Sequence, residues 1–134
     1  MILYTGGKYQ GKLNILLSET GLNDDEVLNL ETMEIKSETS DNLSSYKAIA
    51  YVEEYIRKLS EENLEKDEIV NKVIGLHKEI NPKYIIVTEV GCGVIPIKKS
   101  ERIFREATGE VTTYFAKHAE EVYRVVCGIK TRIK

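Results

Sequence analysis

Short apolar runs alternate with longer amphipathic segments along the chain, which predicts strands separated by helices. The strands are predicted at residues 1–5, 84–88 and 122–127. The middle run is continuously apolar, as in a parallel strand that is covered on both faces. Strands joined through helices imply right-handed crossovers and a parallel sheet, so we expect an α/β fold. The helices are predicted at residues 12–18, from residue 49 to residue 59, at 67–79 and at 99–118.

Apolar side chains recur three or four positions apart from Ile49 through Val52 and Ile56 to Leu59. This spacing predicts that one face of a helix is buried. The charged residues between them are expected on the opposite, solvated face: Glu53, Glu54, Arg57 and Lys58.

The segment between Gly21 and residue 45 is less regular. Gly21 is expected to end the first helix, and Asn23 with the acids after it is typical of a helix N-terminus. We expect a short helix at residues 24–29, a strand at 31–36 and a polar loop at 37–45. The basic residues 130–134 are expected to reach an anionic group or to fray.

Length, net charge and the distribution of apolar residues exclude a few classes of protein. A chain of 134 residues is expected to form one domain, residues 1–134, and its net charge of -3 gives no general attraction to nucleic acid. The absence of a long apolar run predicts no membrane span, and a strand directly after Met1 predicts no signal peptide. We therefore expect a cytoplasmic protein. Cys92 and Cys127 fit a reducing compartment and are expected to be small buried thiols.

The residues after the first strand carry the most specific chemical signal. Gly6, Gly11 and Lys12 match the spacing G-x-x-x-x-G-K of a phosphate-binding loop. Glycines let backbone N–H groups surround an anion, and the lysine and the following helix N-terminus add positive charge. The sequence therefore predicts a nucleotide or phosphate site formed by Gly6, Gly7, Lys8, Tyr9, Gln10, Gly11, Lys12 and Leu13.

Leu13 stands where this pattern has a serine or threonine whose hydroxyl helps to hold Mg²⁺. The spacing thus favours anion binding more strongly than magnesium-dependent transfer. An alternative is that the glycines form only a tight strand-to-helix connection, although the apolar strand before them and Ile15 after them favour a nucleotide site.

Glu89 directly follows the predicted strand at 84–88, at the sheet edge where ligands bind in parallel sheets. With Lys12 it is a candidate catalytic residue, since it could hold a metal-bound water or accept a hydrogen bond from a substrate hydroxyl. The alternative is that Glu89 caps its own loop. His77 and His118 have no partner at metal-ligand spacing and are expected at the edge of the core, on the inner faces of their helices.

Two segments of this chain resemble the bifunctional adenosylcobinamide kinase / adenosylcobinamide-phosphate guanylyltransferase family of cobalamin biosynthesis. These are residues 2–12 and the run Glu89-Val90-Gly91-x-Gly93-Val94-x-Pro96, and the resemblance continues from Arg102 to residue 134. It implies a RecA-like P-loop fold with three layers, ATP or GTP as donor, a corrinoid acceptor and a trimer. It also implies that Glu89, Val90 and Gly91 contact the substrate.

The middle of the chain departs from that family. A histidine that becomes guanylylated, within a His-x-x-x-Arg-Pro-like stretch, has no counterpart between residues 21 and 81, because His77 lies in a different context. An acidic residue that precedes a middle helix in the family is missing near residues 46–49, and the middle is shorter. We therefore expect guanylyl transfer to be lost and kinase activity to be weakened. The alternatives are a nucleotide- or anion-binding regulatory or assembly module, and a scaffold with an empty loop.

Overall fold

The computed structural model describes residues 1–32, 42–91, 93 and 97–134. These residues contain a six-stranded sheet in the order β2-β3-β4-β1-β5-β6. All neighbouring strands are parallel except β6, which is antiparallel to β5. The strands are β1 (Ile2–Thr5), β2 (Val27–Asn29), β3 (Ala48–Ala50), β4 (Tyr84–Ile86), β5 (Glu121–Val126) and β6 (Ile129–Arg132). The predicted α/β fold with a mostly parallel sheet is therefore confirmed.

Helices cover both faces of the sheet and make it a three-layer structure. They are α1 (Lys12–Thr20), α2 (Val52–Glu61), α3 (Lys66–Ile80) and α4 (Lys99–His118). The helices α2, α3 and α4 pack against one another on one face, while α1 covers the other face. Among the described residues, no helix is both long and apolar enough to cross a bilayer.

Alternating strand residues enter two separate apolar clusters. Leu3 and Ile85 belong to the larger cluster with α2, α3 and α4, whereas Tyr4 and Ile86 pack with Leu16 of α1. This is the two-residue period of a strand that is buried on both faces. Burial on both faces agrees with the central position of β1 in the sheet, between β4 and β5.

The predicted helix at residues 24–29 is wrong. A single 3₁₀ turn, Asp24–Glu26, is followed directly by β2. Asn23 does cap this turn, but Val27 and Leu28 are buried and β2 pairs with β3, so tertiary pairing ends the helix after a single turn. The predicted strand at 31–36 and loop at 37–45 lie partly outside the described residues; Glu31 and Thr32 form a turn, and Leu43–Ser45 is another 3₁₀ turn.

The prediction that Ile49 belongs to a helix is also wrong. Ile49 lies in β3 and pairs with Ile85 of β4, and α2 begins only at Val52. Between them, Tyr51 has a left-handed backbone, with φ of 62°. A three-residue strand is too short for the two-residue alternation of a strand to be recognised. Ile49 lies three residues before Val52 and so fits the helical spacing of α2 by coincidence.

The basic tail forms β6 rather than fraying. A tight turn at Cys127 (φ 50°) and Gly128 (φ 73°) joins β5 to β6, with Val126 opposite Ile129. Positive φ at both central residues is the geometry of a two-residue hairpin turn. The expectation of a buried Cys127 is wrong, because its place in this turn exposes it; Cys92 lies outside the described residues.

Candidate functional site: a glycine loop and its cleft

The glycine loop lies between β1 and α1, at the carboxyl end of the central strand. Gly6 has φ of 138°, and a Cβ added there would overlap the carbonyl oxygen of Val125 in β5. Gly11, which precedes α1, has φ of 87°. Both positions require glycine, so two of the sequence-predicted residues have a clear structural reason for their identity.

Lys12 is folded into this loop and is only 3% exposed. Its Nζ atom donates hydrogen bonds to the carbonyl oxygens of Gly6, at 3.2 Å, and Gly7, at 2.6 Å. Burial lowers the pKa of Lys12, while the negative charges of Glu53 and Glu89 act in the opposite direction. The ammonium group therefore stands inside the loop, where a bound phosphate would meet it.

A cleft opens beside the loop and encloses about 370 Å³, counting the solvent-open space at its mouth. Five of the sequence-predicted loop residues line it: Lys8, Tyr9, Gln10, Gly11 and Lys12. The facing wall comes from other parts of the chain and consists of Glu31, Tyr51, Glu53, Glu54 and Thr88. Leu13 instead packs in the apolar cluster under α1.

Glu53 is the functional candidate that the sequence pattern missed. It was expected on a solvated helix face, but it is 4% exposed and lines the cleft. Its Oε2 atom accepts a hydrogen bond of 2.9 Å from the backbone N–H of Thr88. Burial is the main reason that the pKa of Glu53 is raised.

The position of Glu53 carried one weak signal in the sequence. A strand-to-helix junction falls at Tyr51, after Ile49, where the helix was predicted to have begun already, so the first turn of α2 presents acids at the carboxyl end of β3. Ligand sites in parallel sheets commonly lie at such junctions, so an acidic side chain there is a candidate for the site. This candidate could be predicted only together with β3, and the helical spacing that includes Ile49 hid that strand.

The hairpin turn between β5 and β6 holds the loop from the other side. The backbone N–H of Cys127 donates to the side-chain Oε1 of Gln10, and that of Gly128 donates to the Gln10 carbonyl oxygen at 2.9 Å. Thus Gln10 lines the cleft and also joins the loop to the hairpin.

Glu89 follows β4 next to the loop, and its backbone N–H donates to the carbonyl oxygen of Gly6 at 2.9 Å. Its carboxylate accepts two hydrogen bonds from Arg124, at 2.8 Å and 3.0 Å. In the described part of the chain, the lining of the cleft includes Thr88 but not Glu89, Val90 or Gly91.

The two histidines lie at the opposite end of the sheet. His77 packs against Phe115, and burial, His118 and the amino terminus at Met1 all lower its pKa. His118 bonds the carbonyl oxygen of Tyr114 through Nδ1 and is exposed, not inward-facing as expected. Both histidines therefore lie near the amino end of β1, whereas the glycine loop follows its carboxyl end.

A central parallel strand, a glycine loop, a buried lysine and the helix after it define a P-loop-type α/β protein. The comparison with family models then places the chain: residues 28–133 match the family of cobinamide kinase / cobinamide phosphate guanyltransferase. The chain belongs to this family. The matched region begins after the glycine loop, so the interpretation of the loop depends on its own geometry.

Two curated relatives agree with this assignment. The bifunctional adenosylcobalamin biosynthesis protein CobU of Salmonella typhimurium is 36% identical over 69 residues, which are 51% of this chain and 38% of the relative. The protein of the same name from Escherichia coli is 36% identical over 66 residues, 48% of this chain and 36% of the relative. The similarity thus spans well under half of each relative.

Proposed function

We propose that this chain binds ATP or GTP with its terminal phosphates in the cleft beside Lys12. The observation that carries the proposal is the ammonium group of Lys12 buried within the glycine loop, at the carboxyl end of the central strand. We further infer a kinase-type reaction, in which the terminal phosphoryl group passes to a hydroxyl of a corrinoid. This acceptor is inferred from membership of the family, whose description names cobinamide.

Phosphoryl transfer needs charge neutralisation and positioning more than a protein nucleophile. Lys12 can exchange its bonds to the Gly6 and Gly7 carbonyls for bonds to phosphate oxygens. Glu89, whose carboxylate is oriented by Arg124, is proposed to accept a hydrogen bond from the acceptor hydroxyl. Val90 and Gly91 follow it and are proposed to contact the same substrate.

Magnesium supplies further charge neutralisation when it accompanies a nucleoside triphosphate. Leu13 has no hydroxyl for this ion, and its side chain packs under α1. In the described part of the chain, no cluster of three or more His, Cys, Asp or Glu side chains is arranged to hold a metal. We expect slow turnover and only a modest gain from magnesium in nucleotide binding, because any oxygen atoms of the cleft that hold the ion do so without a hydroxyl at residue 13.

Guanylyl transfer through a protein histidine is proposed to be lost. The chain has two histidines, and both stand at the end of the sheet away from the loop. From the resemblance we also propose a cytoplasmic homo-oligomer, a trimer, without a nucleic-acid partner.

The second candidate function is a nucleotide-binding module that regulates or assembles without turnover. Two observations favour it: the hydrocarbon side chain at Leu13, and the ion pair that already occupies the carboxylate of Glu89. A turnover assay with labelled ATP and cobinamide separates the two, because the module would release no phosphorylated corrinoid.

Nucleotide binding is tested by thermal unfolding with ATP or GTP, with and without Mg²⁺. A ligand present at 100 times its dissociation constant stabilises the folded state by about 2.7 kcal/mol. We expect each nucleotide to raise the midpoint for the wild type, and Lys12→Ala to remove most of that rise. Lys72→Ala, which changes an exposed lysine on α3, is the control. An unchanged rise in Lys12→Ala would show that the loop is not the site.

A further inference from the structure

The cleft wall that faces Lys12 contains two buried oxygen-bearing side chains with unusual surroundings. Glu53 and Thr88 are 4% and 5% exposed, and both line the cleft. The Thr88 hydroxyl makes no hydrogen bond of normal geometry to any described residue, although it lies close enough to favour the charged form of Glu53. A buried hydroxyl that lacks a well-formed hydrogen bond is uncommon in folded proteins, and its oxygen has lone pairs available to a ligand.

We propose that the Glu53 carboxylate and the Thr88 hydroxyl hold the divalent cation that accompanies the nucleotide, in place of the hydroxyl missing at Leu13. This proposal rests on the proposed function, because the phosphates complete the site. Mg²⁺ prefers oxygen ligands and is commonly bound through one or two carboxylates together with substrate phosphates. A donor set of one carboxylate and one hydroxyl, close to a phosphate loop, fits that chemistry.

The chemistry of Glu53 favours this role over simple capping. Its hydrogen bond to the Thr88 N–H could be made equally well by a glutamine, which carries no charge to bury. The charge of Glu53 already interacts with the Lys12 ammonium, and a divalent cation beside the carboxylate would compensate the cost of burying it further.

The other carboxylates near the loop are less suited to this site. Glu89 is already held by both nitrogens of Arg124 that face it. Glu31 is exposed and Glu54 is only partly buried, so water competes for both. Glu53 is thus the acid of this cleft whose position the fold fixes most firmly.

The test uses Mn²⁺ as the probe, with the non-hydrolysable β,γ-imido analogue of ATP, and follows bound Mn²⁺ by electron paramagnetic resonance. Binding of the analogue alone is measured in EDTA with the same variants. The variants are Glu53→Gln, which keeps an acceptor for Thr88, and Thr88→Val, which keeps the shape. Glu61→Gln removes an exposed charge from the end of α2 and is the matched control.

In Glu53→Gln we expect the Mn²⁺ dissociation constant with the analogue to rise at least about tenfold, as when an important group of a metal site is lost. In Thr88→Val the loss of one oxygen should raise it about two- to tenfold. Glu61→Gln should stay within about twofold of the wild type. Binding of the analogue in EDTA should be retained in all three.

Wild-type Mn²⁺ affinity in Glu53→Gln, with analogue binding intact, would overturn this assignment and leave the proposed nucleotide site standing. Failure of the wild type to bind the analogue in EDTA and with Mn²⁺ would instead overturn both. If Glu53→Gln also loses analogue binding in EDTA, Glu53 shapes the cleft rather than holding the cation, and the assignment is likewise wrong.

Discussion

At Gly6 the backbone passes so close to β5 that any side chain would overlap the carbonyl oxygen of Val125. The same residue presents its own carbonyl oxygen to the Lys12 ammonium and to the backbone N–H of Glu89. One glycine therefore fixes both the start of the loop and the position of its lysine. Gly7, one residue later, has room for a methyl group, since the nearest atom lies 3.4 Å from an added Cβ.

Gly6→Ala is expected to destabilise the protein by about 2–6 kcal/mol, since overpacking and a strained backbone each cost about 1–3 kcal/mol. Chemical denaturation measures this change in the free energy of unfolding. Gly7→Ala is the matched control and should remain within about 1 kcal/mol of the wild type. Equal stability of the two variants would contradict the close approach of the loop to β5.

The β5–β6 hairpin acts as a support for the loop. Its turn donates two backbone N–H groups to Gln10, one to the side chain and one to the main chain. The loop is therefore held by an element that lies more than a hundred residues further along the chain. This arrangement restrains the loop before a ligand arrives, and preorganisation of that kind improves affinity.

Gln10→Ala is expected to lower the free energy of unfolding by about 0.5–1.5 kcal/mol, the usual net value of one hydrogen bond. The bond between the Gly128 N–H and the main chain remains, so the loop should weaken without unfolding. Gln10→Glu keeps a side-chain oxygen as acceptor and should lose less stability in the same denaturation experiment. A Gln10→Ala protein as stable as the wild type would show that the hairpin contact is incidental.

Elements with a long or isolated apolar pattern could be predicted from the sequence, and short paired ones could not. The prediction for α4 at residues 99–118 agrees with its bounds, because twenty residues repeat the helical spacing many times. By contrast, β2 and β3 have three residues each, and pairing between them determines their conformation. The hairpin at Cys127 and Gly128 was missed because β6 has no buried face to mark it.

At the scale of the whole molecule, the two ends of the parallel sheet have different chemistry. The carboxyl ends of β1 and β4 lead into the glycine loop and Thr88, beside the cleft. Met1 lies at the amino end of β1, and the positive charge of its amino group helps to lower the pKa of His77. The loop could be predicted because its motif is contiguous, whereas the place of Glu53 opposite Lys12 arises only when β3 and β4 join the sheet.

This polarity predicts the outcome of incubation with GTP labelled at the α-phosphate. Guanylylation of a histidine requires a ring nitrogen to attack the α-phosphorus and release pyrophosphate. Phosphates at Lys12 stand at the opposite end of β1 from His77 and His118, so no acid-labile label should remain on the denatured protein. Filter binding of GTP to the native protein is the control. An acid-labile adduct that disappears in His77→Asn or His118→Asn would contradict the prediction and place a second nucleotide site at the amino end of the sheet.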